Sequence, residues 1–154
     1  MKTKLSFLAI LLIAFCINIQ AKSFIKYGEI QNGKPVLTIT PGNLIIMLEK
    51  MLNNGSRITS VEIEVNGSNF FLKGTGNHLG KSVTCGFLLV KVGNEFGQYL
   101  NAVETLQICV CANCASCLFN FNDSNQFEGC KCTASEQNSE GGFNHCIRQV
   151  VITD

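Results

Sequence analysis

The chain has 154 residues, of which 46% are hydrophobic and 15% charged, with nine cysteines and no tryptophan. Twelve Lys and Arg side chains against eleven Asp and Glu give a formal charge of +1, which is too little positive charge for a protein that binds nucleic acid by neutralising many phosphates. We therefore expect no nucleic-acid partner, and the length predicts a single domain.

The first 21 residues follow the pattern of a secretory signal peptide. Lys2 and Lys4 precede an apolar run at residues 5–17 and a more polar stretch that ends in the small residue Ala21. This pattern predicts a secreted or periplasmic protein that is cleaved after Ala21. The apolar run is shorter than a spanning helix, and no later segment is longer, so we expect no transmembrane segment in the mature chain.

Cleavage would leave a mature chain of 133 residues with eight cysteines and a net charge of −1. A chain of this size buries about two thirds of its unfolded surface and can build a core without covalent staples. Two alternatives would hold the protein at a membrane: an uncleaved anchor, and a lipid anchor on Cys16. The short apolar run argues against the first, and the bulky Phe15 before the cysteine argues against the second.

A hairpin and a helix are predicted at the start of the mature chain. The dipeptide Asn32-Gly33 is typical of a tight turn and predicts a hairpin over residues 23–40. Pro41 suits the first position of a helix, and the apolar residues after it follow helical spacing up to Gly55. These apolar positions are Leu44, Met47, Leu48, Met51 and Leu52.

From Arg57 onward the hydrophobic period is two, which is typical of strands. Asn66-Gly67 and Gly93-Asn94 are turn dipeptides, and residues 74–80 are predicted to form a loop. The predicted strands begin at residue 57 and continue at 69–73, 81–92, 98–103 and 105–111. These elements predict an α+β fold, with one helix packed on an antiparallel β-meander.

Three segments are expected: a signal peptide at 1–21, an α+β domain at 22–117, and a cysteine-rich, loop-dominated tail at 118–154 that belongs to the same domain. Residues 120–144 are rich in Asn, Ser, Gly and Glu and have little periodic apolar character. Such a segment does not fold by burial alone. We therefore expect the tail to be cross-linked to the sheet.

The cysteines predict structural disulfides, because a secreted chain with an even count in a segment poor in core residues is their usual setting. On the last predicted strand, Cys109 and Cys111 lie on the face opposite the apolar residues, where they can hold the tail. Bonds from residues 109–117 to cysteines outside that run are favoured, since a bridge across Cys-x-Cys is strained. For Cys85 a bridge is preferred to a buried free thiol. The disulfide candidates are Cys85, Cys109, Cys111, Cys114, Cys117, Cys130, Cys132 and Cys146.

A thiolate metal-binding protein is the first alternative, because soft sulfur ligands suit zinc, copper(I) and iron–sulfur clusters. Cys111, Cys114 and Cys117 resemble the first three ligands of a bacterial ferredoxin, but the next cysteine is Cys130 and no proline follows. In this alternative the ligands would come from Cys109, Cys111, Cys114, Cys117, Cys130, Cys132, His145 and Cys146.

A thiol–disulfide oxidoreductase using a Cys-x2-Cys pair is the third class of protein considered. Its usual cis-proline has no counterpart here, since Pro35 and Pro41 lie far upstream of the cysteines. Motifs of hydrolases, P-loops and dinucleotide-binding proteins are missing from the sequence. We therefore predict a non-enzymatic protein without a cofactor, which binds an unidentified protein or glycan ligand.

Four phenylalanines accompany the last cysteines. Phe119 and Phe121 point the same way in an extended segment, and Phe127 and Phe143 follow in the tail. We expect these rings to pack over the disulfides rather than to form a binding patch.

Overall fold

The computed structural model describes residues 23–99, 104–112, 115–133 and 145–153. The predicted signal peptide at 1–21, Cys114 and the end of the predicted strand at 100–103 lie outside the described residues. Within the described ranges, no helix has the length and apolar character required to cross a membrane.

Strands dominate the described residues, of which 67% lie in strands and 11% in helix. Ten strands and one helix form within these ranges. In chain order the elements are β1 (Phe24–Gln31), β2 (Lys34–Leu37), α1 (Pro41–Leu52), β3 (Arg57–Asn66), β4 (Asn69–His78), β5 (Lys81–Val92), β6 (Glu95–Tyr99), β7 (Glu104–Ala112), β8 (Cys117–Phe121), β9 (Phe127–Cys132) and β10 (His145–Thr153).

Eight of these strands form one antiparallel sheet, organised around the long strand β5. β5 pairs with β4 and β7, and its last residues, 90–92, pair with β6. From β6 the sheet continues through β1 to β2, and from β7 it continues to β10. Because β2 also contacts β3, the sheet is nearly closed on itself. β8 and β9 form a separate two-stranded hairpin.

The predicted α+β fold, with one helix on a meander and a loop-dominated tail, is therefore wrong. Hydrophobic period identifies strands but does not specify partners far away in sequence, and here β1 pairs with β6 and β5 with β7. α1 adds its buried leucines to the core of a curved sheet rather than covering an open one. The tail also contributes strands β9 and β10 and most of β8.

Several local predictions are confirmed. α1 begins at Pro41, as the sequence indicates, and ends at Leu52 because Asn53 turns left-handed with φ of 44°. The N–H of Asn53 donates to the carbonyl of Glu49 at 3.1 Å. Both residues of the Asn32-Gly33 turn have positive φ, as a type I′ turn between β1 and β2 requires.

The loop predicted at residues 74–80 is instead the second half of β4, which continues to His78. Its glycines mark close approaches rather than a break in the strand. A Cβ on Gly74 would lie 2.6 Å from Cδ1 of Leu48 in α1, and one on Gly76 would collide with the backbone of Arg57 in β3. Close packing against α1 explains the glycine at position 74, and close packing against β3 explains the one at position 76.

Two separate apolar clusters hold the described residues together. The larger one contains the buried leucines of α1 and the inward side chains of the sheet, among them Leu72, Phe87 and Ile108. The smaller one contains three cysteines and Phe119. The β8–β9 hairpin, Cys117–Phe121 and Phe127–Cys132, carries part of this second cluster and contacts β5, β7 and β10.

Candidate functional site

The two faces of β7 separate the core from the cysteines, as the sequence predicts. Leu106 and Ile108 are almost fully buried in the larger cluster. Cys109 and Cys111 point to the opposite face and belong to the smaller cluster. Alternation along a strand therefore places the thiols of β7 on the face that receives the hairpin.

Two disulfides attach the hairpin to the sheet. Cys109 of β7 is bonded to Cys130 of β9, with a Cα–Cα distance of 5.7 Å. Cys117 of β8 is bonded to Cys146 of β10, with a Cα–Cα distance of 6.1 Å. The prediction of disulfide bonds is confirmed, and both bonds join a residue of the 109–117 run to a cysteine outside it.

Four cysteine sulfurs form a compact group, here called the four-sulfur cluster: Cys111, Cys117, Cys132 and Cys146. The Sγ of Cys111 lies 3.1 Å from that of Cys117, and the Sγ of Cys132 lies 3.2 Å from that of Cys146. Strand register explains the grouping, because Cys111 is directly opposite Cys146 and Cys117 directly opposite Cys132. The four strands β7 to β10 contribute one sulfur each.

Cys85 lies apart from this group and is a free thiol. It is fully buried on the inner face of β5, opposite Ile108 of β7, so the sheet separates it from the four-sulfur cluster. Burial raises the pKa of the Cys85 thiol to about 12. The bridge preferred for Cys85 is therefore not formed, and the buried free thiol is the arrangement found.

The remaining cysteine predictions are answered in part. Of the residues considered as alternative metal ligands, Cys111, Cys117 and Cys146 place their sulfurs within 4.8 Å of one another. Cys109 and Cys130 are bonded to each other. Cys114 and the side chain of His145 lie outside the described residues, and because both Cys-x2-Cys pairs include Cys114, the geometry of neither pair is described.

Aromatic rings join the hairpin to the outer face of the sheet. The Phe71 ring of β4 lies 4.9 Å from that of Phe121, measured between centroids. Phe119 and Phe127 meet edge to face at 5.2 Å. Phe119 is buried, in keeping with the expected packing over the disulfides, whereas Phe143 lies outside the described residues.

An open cleft of about 330 Å³ lies between the hairpin and the sheet. The hairpin turn is held there by Asn69, whose side-chain amide donates to the carbonyl of Asn125 at 2.7 Å. The walls combine apolar and polar groups. Among the lining residues are Phe71, Leu88, Phe127, Gln107 and Arg148.

Strand alternation places Gln107 on the cysteine face of β7, but the sequence patterns predict no cleft there and do not single out Arg148, although a signal was present. Gln107 lies two positions before Cys109, and Arg148 two positions after Cys146. In strands, residues two apart share a face. The cysteines therefore mark these two side chains as neighbours of the cross-linked hairpin.

No family model matches the chain, and no curated protein or solved structure matches it either. Its function is therefore inferred from its own residues.

Proposed function

We propose that this is an exported, non-enzymatic binding protein whose ligand occupies the cleft between the β8–β9 hairpin and the sheet. In this proposal the disulfides are structural. The observation that carries it is the placement of the two bonds, which fix the hairpin that bears Phe127 against the strands that bear Phe71 and Arg148.

Export is supported by the disulfides together with the leader pattern. Disulfides persist in secreted and periplasmic proteins, whereas cytosolic thiols are kept reduced. Residues 1–21 have the composition of a cleaved signal peptide. The described residues are thus those of a small disulfide-stabilised domain, and an oxidising compartment is where such a domain forms.

A binding role is supported by the chemistry of the cleft. Aromatic rings, side-chain amides and an arginine are groups that orient a ligand, and a few of them in an apolar cleft are typical of a small-molecule site. The cleft volume of about 330 Å³ falls within the range of such sites.

The experiment that tests this proposal starts with the full chain expressed in its native compartment. We expect the isolated protein to begin at Lys22. Alkylation of the denatured, unreduced protein should modify at most four of the eight mature cysteines, and reduction should expose all eight. An intact leader on a cytosolic protein, or eight reactive thiols without reductant, would contradict the proposal.

A thiolate metal site is a second candidate function, favoured by the four-sulfur cluster. Zinc bound tetrahedrally with Zn–S distances of about 2.3 Å holds its sulfurs roughly 3.8 Å apart. The contacts of 3.1 Å and 3.2 Å in the cluster are shorter than that spacing, and the sulfurs of Cys111, Cys117 and Cys146 all lie within 4.8 Å of one another. A thiol reductant that opened the Cys117–Cys146 bond would add two electrons and two protons and convert both residues to thiols.

Metal analysis separates the two candidates. If the cluster is a metal site in the cell, protein isolated anaerobically from its native compartment should contain about one equivalent of zinc or copper. A Cys111→Ser variant should lose this metal, and a Cys85→Ala variant should keep it. Metal-free protein with its disulfides intact would exclude the second candidate.

A further inference from the structure

The cleft presents an arginine that is fixed in place by its neighbours. Nε and Nη2 of Arg148 donate to Oε1 of Gln107 at 3.3 Å and 3.2 Å, and Nη1 donates to the carbonyl oxygen of Glu128 at 3.4 Å. The guanidinium also lies over the ring of Phe127, 4.9 Å from its centroid. Three hydrogen bonds and the face of the Phe127 ring therefore orient the exposed side chain of Arg148.

The charge of Arg148 is not neutralised within the described part of the chain. The ion pairs found there involve Lys26 and Lys73, and the oxygens that accept from Arg148 belong to an amide and a backbone carbonyl. A guanidinium stays protonated and has five N–H groups, of which these contacts use three. Two donors and a full positive charge remain available to a ligand.

The wall beside the guanidinium is apolar and only partly covered. Leu88 of β5 exposes 54% of its surface although it lies directly opposite the buried Phe71 in β4. Both side chains line the cleft together with Phe127. A flat apolar group placed here would remove Leu88 from water and contact two rings, which is favourable in proportion to the apolar area covered.

We propose that the cleft binds a small organic carboxylate with a flat apolar body. This inference rests on the proposed function, for which it names the ligand class. The carboxylate accepts the two remaining N–H groups of Arg148, a planar pairing for which guanidinium and carboxylate are matched. The apolar body covers Leu88 and lies against Phe71 and Phe127.

The test compares two probes of nearly the same shape, 1-naphthylacetate and its neutral amide, on the oxidised protein secreted from the full chain. Calorimetry gives the affinities, and amide chemical shifts report where each probe binds. The acid should bind at least tenfold more tightly than the amide, with the largest shift changes in β5, β7, β9 and β10. Added salt should lower the affinity for the acid and leave the affinity for the amide unchanged.

Variants identify the residue that selects the acid. Arg148→Ala should weaken binding of the acid about 10- to 100-fold, as expected for loss of a hydrogen-bonded charge pair, without changing the affinity for the amide. Arg148→Lys should give an intermediate affinity, because the charge is kept but the paired donors are lost. Arg57→Ala removes an equal charge from an exposed position in β3 and should have no effect.

The outcomes distinguish the inference from the proposed function. Equal binding of acid and amide at the cleft, or an acid affinity unchanged by Arg148→Ala, overturns the inference and leaves a binding cleft in place. If neither probe shifts any cleft resonance, the inference is overturned, whereas the proposed function is contradicted by an intact leader or by eight reactive thiols without reductant. Alkylation of each variant confirms that its disulfides are intact.

Discussion

At the scale of single residues, Gly74 shows how a position that suggests a loop serves packing instead. A Cβ at this site would lie 2.6 Å from Cδ1 of Leu48 and 3.3 Å from Sγ of Cys85. Both neighbours are fully buried, so neither can move into open space. The glycine therefore allows α1 to approach β4.

The first prediction follows from this contact. Gly74→Ala should lower the free energy of unfolding by about 1–3 kcal/mol, the usual effect of overpacking a core. Gly129→Ala is the matched control, because Gly129 also lies in a strand and a Cβ there meets nothing within 4 Å. Its effect should stay within about 0.5 kcal/mol. The measurement is urea denaturation monitored by circular dichroism. An equal loss of unfolding free energy in the two variants would contradict the contact.

Cys85 illustrates a thiol that burial makes unreactive. Desolvation raises its pKa to about 12 and outweighs the opposing hydrogen bond with the backbone of Gly74. At about pH 8 the thiolate, which is the nucleophile, is almost absent. The second prediction is that iodoacetamide leaves Cys85 unmodified in the native protein and modifies it after denaturation, as peptide mass mapping would show.

The same shift predicts a pH dependence of stability. In the unfolded chain the Cys85 thiol ionises near its ordinary pKa of 9.0, and in the folded chain only near 12. Its contribution to stability is complete below about pH 9 and is lost as the pH rises toward 12. Cys85→Ala should therefore show a shallower decline in unfolding free energy over that range. Equal slopes for the two proteins would contradict the shift.

At the scale of elements, the sequence predicts a turn or a helix correctly where the residues that determine it lie within a few positions of one another. The Asn32-Gly33 turn and α1, with its proline start and leucine stripe, are of this kind. The end of α1 is less well specified by the sequence, since helical spacing was followed up to Gly55 whereas the left-handed residue that ends the helix is Asn53. The second half of β4 was missed because its glycines are explained by contacts with α1 and β3.

The β8–β9 hairpin gives the fourth prediction. Cys109→Ser combined with Cys130→Ser should lower the unfolding free energy by about 2–4 kcal/mol, because a constraint across 21 residues is lost. Hydrogen exchange should become faster in β9 while the β1–β2 hairpin, which has no cysteine, keeps its protection. Unchanged exchange in β9 would mean that the aromatic contacts and Asn69 hold the hairpin without this bond.

The candidate site could be predicted only as far as its cysteines. Their even number and the alternation on β7 indicate a cross-linked face. Which sulfurs meet depends on the pairing of β7 with β10 and of β8 with β9, and spacing along the chain does not contain that information. The cleft depends on the same pairings, so Arg148 could not be placed opposite Phe127 in advance.

At the scale of the whole molecule, the fold is set by pairings between distant segments. β1 pairs with β6 and β10 with β7, and β2 lies near β3. Loop closure must precede each of these contacts, and one sequence does not specify which of several amphipathic strands are joined. This is why strands that were predicted correctly in part were assembled into the wrong fold class.

The separation of the two apolar clusters leads to the last prediction. Among the described residues the larger cluster contains one cysteine, the free Cys85, and no disulfide, whereas the smaller cluster is built around the bonded sulfurs. Reduction should therefore loosen the β8–β9 hairpin and leave the curved sheet folded. Hydrogen exchange in a thiol reductant should show retained protection in β3, β4 and β5 and lost protection in β8 and β9. Cooperative loss of protection in all five strands would show instead that the disulfides stabilise the sheet itself, and that the hairpin and the core form one folding unit.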